Sequence, residues 1–187
     1  MKIFEDLKEA VLYLKKGKVI ICPTDTVYGL VCDATNEKAV KRLFKIKKRE
    51  PGKFLPIFVR DIRAAKKYAI INKGQEAILR KVWPGKTTVV LKRKNSVLYG
   101  VDKKTIALRA PDCKVVNYLL LSINRPLTGT SANISGLYPS CKINEVINQF
   151  KNQKFGPDGI IDAGNLKESR PSKIIDLTDK SIKVLRK

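Results

Sequence analysis

The sequence predicts an α/β fold in which helices pack on a mixed β-sheet, with residues 1–187 forming a single domain. Three observations predict it. Apolar runs of strand length alternate with helix-spaced segments early in the chain. Strand-like runs then cluster near the C-terminus, and that change of pattern implies a mixed sheet. Finally, 43% of the 187 residues are hydrophobic, enough to fill one core of domain size.

Taken in order, Leu7, Ala10, Val11 and Leu14 keep helical spacing, and Gly17 can end that helix. Residues 18–22 read as a buried strand. Asn36 can cap a second helix whose apolar face is Ala39, Val40, Leu43 and Phe44, with Pro51 and Gly52 marking its end. Residues 54–59 predict a strand, Asp61 starts a short helix, and residues 75–82 form a longer one that Trp83-Pro84-Gly85 breaks. Strands follow over 87–91 and 105–108. Asp112 can cap a helix over 115–123. A small-residue loop covers 128–136, and a helix covers about 145–150. Three late strands fall at 159–162, 173–177 and 182–185.

Composition narrows the chemistry. Lys and Arg total 39 against 17 Asp and Glu, a net charge of +22. That predicts attraction to polyanions, whether nucleotides, RNA or an anionic membrane surface, although a solvated cationic surface accounts for much of the Lys count. No run of 18 apolar residues suggests a membrane span, and the acidic start Met1 to Asp6 lacks a signal-peptide core, so a cytoplasmic protein without membrane partners is expected. The chain has no histidine, and Cys22, Cys32, Cys113 and Cys141 form no Cys-x-x-Cys pair. Ser-His-Asp catalysis and a protein zinc site are thereby excluded, and no metal-ligating residues are assigned. A reaction driven by positioning and charge stabilisation suits this composition.

Several segments could carry such chemistry. The octapeptide Pro23-Thr24-Asp25-Thr26-Val27-Tyr28-Gly29-Leu30 follows a buried strand and delivers hydroxyls and a carboxylate to its end; a plain turn braced by Thr and Asp is the alternative. Lys47 and Arg49, two apart near a helix end, could converge on one anion, or serve only the helix dipole. Trp83-Pro84-Gly85-Lys86-Thr87-Thr88 is not a P-loop. Arg80 stands where that motif needs glycine, and the segment follows a helix and opens a strand. Ser131 and Asn133, in the small-residue loop, suit phosphate oxygens or a ribose, and equally a polar connection. Thr105 and Arg109 share one face of a strand, and Arg109 could pair with a substrate carboxylate or equally with Asp112 or another acidic group. Ser172 begins a late strand and Arg186 lies beyond the last one.

Together these blocks resemble the YrdC-like family of threonylcarbamoyl-AMP synthases, in its short form without the C-terminal domain of longer relatives. The matching segments are residues 23–30, Lys47-x-Arg49, Trp83-Pro84-Gly85, 105–109, Ser131-Ala132-Asn133 with Ser135-Gly136, Pro171-Ser172 and Leu185-Arg186. They occur in family order along nearly the whole chain. The resemblance implies a twisted mixed sheet with a basic concave face. It also implies synthesis of threonylcarbamoyl-AMP and pyrophosphate from L-threonine, bicarbonate and ATP, for N6-threonylcarbamoyladenosine in tRNA. Mg2+ would accompany ATP, and partner proteins would transfer the group to tRNA. By the same resemblance Lys47 and Arg49 are the catalytic cations. Thr26, Arg109, Ser131 and Ser172 would bind threonine, while Lys47, Arg49, Lys53, Thr105, Asn133 and Arg186 would bind ATP. Two departures stand out: longer relatives carry a threonine-binding histidine near Phe58, and Lys86 replaces a common proline. A non-catalytic binder of double-stranded RNA or tRNA is the competing reading, since +22 suits both.

Overall fold

A computed structural model describes residues 1–50, 52–179 and 181–187. The chain runs β1 (Lys2–Ile3), α1 (Leu7–Lys15), β2 (Ile20–Cys22), β3 (Gly29–Val31), α2 (Glu37–Lys47), β4 (Ile57–Phe58), α3 (Ile62–Ala65), α4 (Lys73–Val82), β5 (Thr87–Lys92) and β6 (Thr105–Arg109). It continues α5 (Lys114–Ile123), β7 (Leu127–Thr128), β8 (Thr130–Ser131), α6 (Ile143–Lys151), β9 (Gly159–Ile160), β10 (Lys173–Asp176) and β11 (Lys183–Arg186).

The expected single mixed sheet is two mixed sheets among the described residues. One has the order β1-β9-β2-β3-β8 and the other β11-β10-β5-β6-β4-β7. They meet where β7 closes one edge and β8 the other, with only Gly129 between them. A bridge from Asp33 to Leu127 and the bond from Thr128 N–H to the Cys32 carbonyl (2.9 Å) fasten this junction. A Cβ at Gly129 would lie 2.5 Å from the Phe58 ring, so glycine is what lets the backbone pass.

Strand alternation assigns the faces. Ile21 packs with Leu43 and Val146 under α2 and α6, whereas Ile20 and Cys22 face Leu14, Leu119 and Leu120 of α1 and α5. In β5 and β6, Val89, Leu91, Ile106 and Leu108 face α3 and α4, leaving Val90, Ala107 and Arg109 to the opposite side. That opposite side is the floor of the site.

Local chemistry sets most helix ends. Asn36 caps α2 by accepting from Ala39 N–H (3.1 Å), and Asp61 caps α3 by accepting from Ala64 N–H (2.7 Å). Helix α4 begins two residues earlier than expected because Asn72 and Gln75 form a reciprocal capping box. Asp112 does not cap α5; Cys113 holds that position without a side-chain bond, and Asp112 N–H instead donates to Asp25. Helix α2 stops at Lys47 because Lys48 turns left-handed at φ 50°, so Arg49 sits in the turn beyond the helix. The expected stop at Pro51 lies outside the described residues. The strand expected over 54–59 shrinks to β4, and Gly29 and Leu30, read within a strand-end turn, pair with β2 together with Val31 as β3. Among the described residues no helix is long and apolar enough to cross a membrane.

Candidate active site

A cavity of about 480 Å³ lies between the two sheets. Phe58, Val90, Ala107, Arg109, Ile174 and Arg186 come from the six-stranded sheet, and Thr24, Thr26, Thr130 and Ser131 from the other side.

The Thr24-Asp25-Thr26 turn is built from its own hydroxyls. Thr24 Oγ1 donates to the Val27 carbonyl (2.6 Å), accepts from Thr26 N–H (3.1 Å) and lies 3.0 Å from Thr26 Oγ1. This leaves Asp25 free to turn toward β6. There its carboxylate meets Arg109 Nη2 at 2.5 Å and Asp112 N–H at 3.0 Å. Both charged side chains are nearly excluded from water, at 7% and 4% exposure. Arg109 also donates from Nε to the Gly85 carbonyl (3.0 Å) and from Nη1 to Thr26 Oγ1 (3.3 Å), and its guanidinium lies 5.9 Å from the Phe58 ring centre. Burial lowers the Arg109 pKa, and Asp25 opposes that shift. Of the two pairings open to Arg109 in sequence, the acidic one is made, and with Asp25 rather than Asp112. Guanidinium carries five N–H groups, so N–H groups remain for a ligand.

Lys47 is almost fully buried at 3% exposure and reaches across to β8. Its ammonium donates to the Ser131 carbonyl (2.7 Å), the Asn133 carbonyl (3.0 Å) and Asn133 Oδ1 (2.8 Å). Ser131 Oγ donates to the same Oδ1 at 2.5 Å, and Asn133 Nδ2 donates to the Ile134 and Leu137 carbonyls. All three ammonium protons are thus committed to neutral oxygens. Burial, with a smaller contribution from Arg49, pushes the Lys47 pKa down to about 7. Lys47 and Asn133 therefore stand behind the wall of the cavity, and Ser131 is the member of this network that lines it.

Arg49 does line the cavity. It is anchored by donation to the Lys53 (2.7 Å) and Phe54 (2.7 Å) carbonyls, and burial lowers its pKa. At the far edge, Arg186 donates from Nε to the Ser172 carbonyl (2.8 Å) and from Nη2 to Ser172 Oγ (3.1 Å). The Ser172 hydroxyl also contacts Thr88 Oγ1 at 2.9 Å.

The structure thus gathers Thr26, Arg49, Arg109, Ser131, Ser172 and Arg186 around one cavity. It does not bring Lys53 or Thr105 there. The Lys53 side chain is exposed and pairs with Glu50 (2.8 Å), while Thr105 sits at the opposite end of β6 from Arg109 and bonds to Asp102 Oδ1 (3.1 Å). Sequence reasoning missed Thr88, whose Thr-Thr-Val-Val context reads as an ordinary strand. It also gave Asp25 only the role of bracing its turn. Three arginines against one carboxylate leave the lining cationic, suited to several anionic groups at once. Among the described residues no three His, Cys, Asp or Glu side chains come together as a metal site.

Comparison with known proteins agrees with this architecture. The Sua5/YciO/YrdC family model, described as "Telomere recombination", matches residues 12–187. A relative from Methanocaldococcus jannaschii, provisionally named threonylcarbamoyl-AMP synthase, is 40% identical over 185 residues, covering 99% of this chain and 85% of its own. The threonylcarbamoyl-AMP synthase of Vibrio vulnificus is 34% identical over 91% of this chain and 93% of its own. The crystal structure of Pyrococcus abyssi Sua5 complexed with L-threonine superposes with a TM-score of 0.89 at 31% identity. It covers 96% of this chain and 53% of that one, so the chain spans about half that protein's length. Escherichia coli YciO superposes with a TM-score of 0.86 at 28% identity, over 97% of this chain and 88% of its own. With a two-sheet fold shared over its length and a family model matched from residue 12 to its last residue, the chain belongs to the Sua5/YciO/YrdC family.

Proposed function

We propose that the cavity converts L-threonine, bicarbonate and ATP to threonylcarbamoyl-AMP and pyrophosphate. The observation that carries this reading is the convergence of Arg49, Arg109 and Arg186 with Thr26 and Ser131 on one cavity between the sheets. The likeness to a threonine-bound relative and to named synthases supports it. ATP, bicarbonate and the threonine carboxylate are all anionic, and the lining is cationic.

In the reaction, threonine's amine attacks the carbon of bicarbonate or CO2, and the carbamate forms with loss of water or a proton respectively. A carbamate oxygen then attacks the α-phosphate of ATP in line, and pyrophosphate leaves. No enzyme nucleophile is needed, so positioning and charge stabilisation carry the rate. Arg109, held by Asp25, offers its remaining N–H groups to the threonine carboxylate beside Thr26. Arg49, pinned by two carbonyls, and Arg186 face the phosphates. Ser131 sits between amino acid and nucleotide, aimed by Asn133 and Lys47. Ser172 acts by holding Arg186. Lys53 and Thr105 have no part in this scheme. Mg2+ enters with ATP as part of the substrate, held on phosphate oxygens. The product would serve N6-threonylcarbamoyladenosine formation in tRNA through separate transfer proteins, in the cytoplasm.

The test is incubation with labelled ATP, bicarbonate and L-threonine. Threonine-dependent pyrophosphate release with a threonylcarbamoyl-AMP product is expected. ATP turnover indifferent to threonine, or no turnover, would sink the reading.

A further inference from the structure

A second basic concavity lies away from the substrate cavity. Two adjoining depressions, of about 310 and 650 Å³, share Arg60 and Arg63 in their walls. Val59 lines the first of them, whereas its neighbour Phe58 lines the substrate cavity. Consecutive residues of an extended segment point to opposite faces, so the two sites stand back to back across the sheet.

The depressions collect Arg60, Arg63, Lys66, Lys67, Arg80 and Arg125. Asp61 pairs with Arg60 (2.9 Å), and Glu76 serves both Lys66 (2.6 Å) and Arg80 (2.5 Å). The buried Asp33 orients Arg125 (2.8 Å) while leaving that side chain 55% exposed. Arg63 and Lys67 are exposed and form no ion pair among the described residues. Six cations against three carboxylates leave +3.

Residue type argues against mere compositional bias. Ten of the 39 basic residues are arginine, and four of those ten line these depressions. A lysine-rich solvated surface would supply mainly lysine. Arginine offers a planar fork matched to phosphate oxygens. Two adjoining depressions that share Arg60 and Arg63 spread six cations over more than one recess, which suits successive phosphates better than one small anion. A bilayer surface is flat and cannot enter those depressions.

We propose that this groove docks the phosphate backbone of a structured RNA, independently of the substrate cavity. The choice of a phosphate backbone stands on the groove alone; the choice of RNA over DNA rests on the proposed function, whose product is used on tRNA.

The test is fluorescence anisotropy with a labelled RNA stem-loop, without ATP or threonine, across a salt series. Arg63→Glu/Lys67→Glu should weaken binding about tenfold or more and reduce the slope of log affinity against log salt by about 1.5, as two phosphate contacts are lost. Lys8→Glu/Lys15→Glu on α1 carries the same change in net charge and should alter binding less than about twofold. Pyrophosphate release by the groove variant should match the wild type, so a failure of the reaction and a failure of the groove read out separately. Equal weakening by both double variants, or by neither, overturns the proposal. So does a groove variant that loses anionic vesicles while keeping RNA. Equal wild-type affinity for a DNA stem-loop of the same sequence overturns the assignment to RNA.

Discussion

Replacing Asp25 by alanine isolates the contact that aims Arg109. The carboxylate and guanidinium are 7% and 4% exposed, so the remaining arginine cannot recover its hydration without moving. It would keep only the Gly85 carbonyl and the longer Thr26 contact as acceptors. Orphaning a buried charge costs about 3–5 kcal/mol. The loss of the bond from Asp112 N–H adds little, because Asp112 is exposed and water can replace the acceptor. The expected destabilisation is therefore about 4 kcal/mol, a large share of the roughly 5–15 kcal/mol that holds a domain folded. For a chain of this size it should lower Tm by about 10 °C. Urea unfolding of Asp25→Ala, Arg109→Met and the double variant gives the coupling directly. Because the double variant buries no orphaned charge, it should cost less than the sum of the singles by about 2–3 kcal/mol. Additive effects, or an Asp25→Ala penalty below about 1 kcal/mol, would show that the pair does not organise this wall. Asp25→Asn, which keeps the shape, should retain more stability than alanine yet raise the KM for threonine.

Other expectations follow from the same geometry. Lys47 titrates near 7 in the folded protein and at its ordinary 10.5 when unfolded, so the unfolded chain binds more protons between these values. Its contribution to stability should rise with pH through that window, by at most about 1.4 kcal/mol per unit, and the difference between wild type and Lys47→Met in urea titrations at pH 7 and 9 should display it. A flat difference refutes the assignment. Arg49→Ala should cut pyrophosphate release by about 10²–10³ while leaving thermal unfolding nearly unchanged. Gly129→Ala places a methyl against the Phe58 ring and should cost about 1–3 kcal/mol, with partial recovery when Phe58→Leu is added.

Helices and the longer strands were legible because their signals are local. Asn36 and Asp61 announce helix starts by chemistry that needs no tertiary context, and the period of β5 and β6 is written in Val89 to Leu91 and Ile106 to Leu108. Very short strands carry no period of their own: β4 and β9 were caught only inside longer apolar runs, while β1, β3, β7 and β8 went unread, and with them the division into two sheets. The site divides similarly. Thr26, Arg49, Arg109, Ser131, Ser172 and Arg186 were found as candidates, but their connections were not. Asp25 and Arg109 are 84 residues apart, and so are Thr88 and Ser172. No local pattern reports such pairings. Lys47 shows the limit most clearly. Its motif suggests a cation for phosphate, yet the direction of its side chain is set by where β8 packs, and that turns its ammonium toward carbonyls.

The one-residue passage at Gly129 makes the two walls of the cavity pages of one book. β7 and β8 are the bound edges, and β11, carrying Arg186, lies at the opposite edge of the six-stranded page. Pages joined at a spine part most at the fore-edge. Were the two walls to part about that spine, Arg186 would be displaced more than Thr130 or Ser131 at the binding.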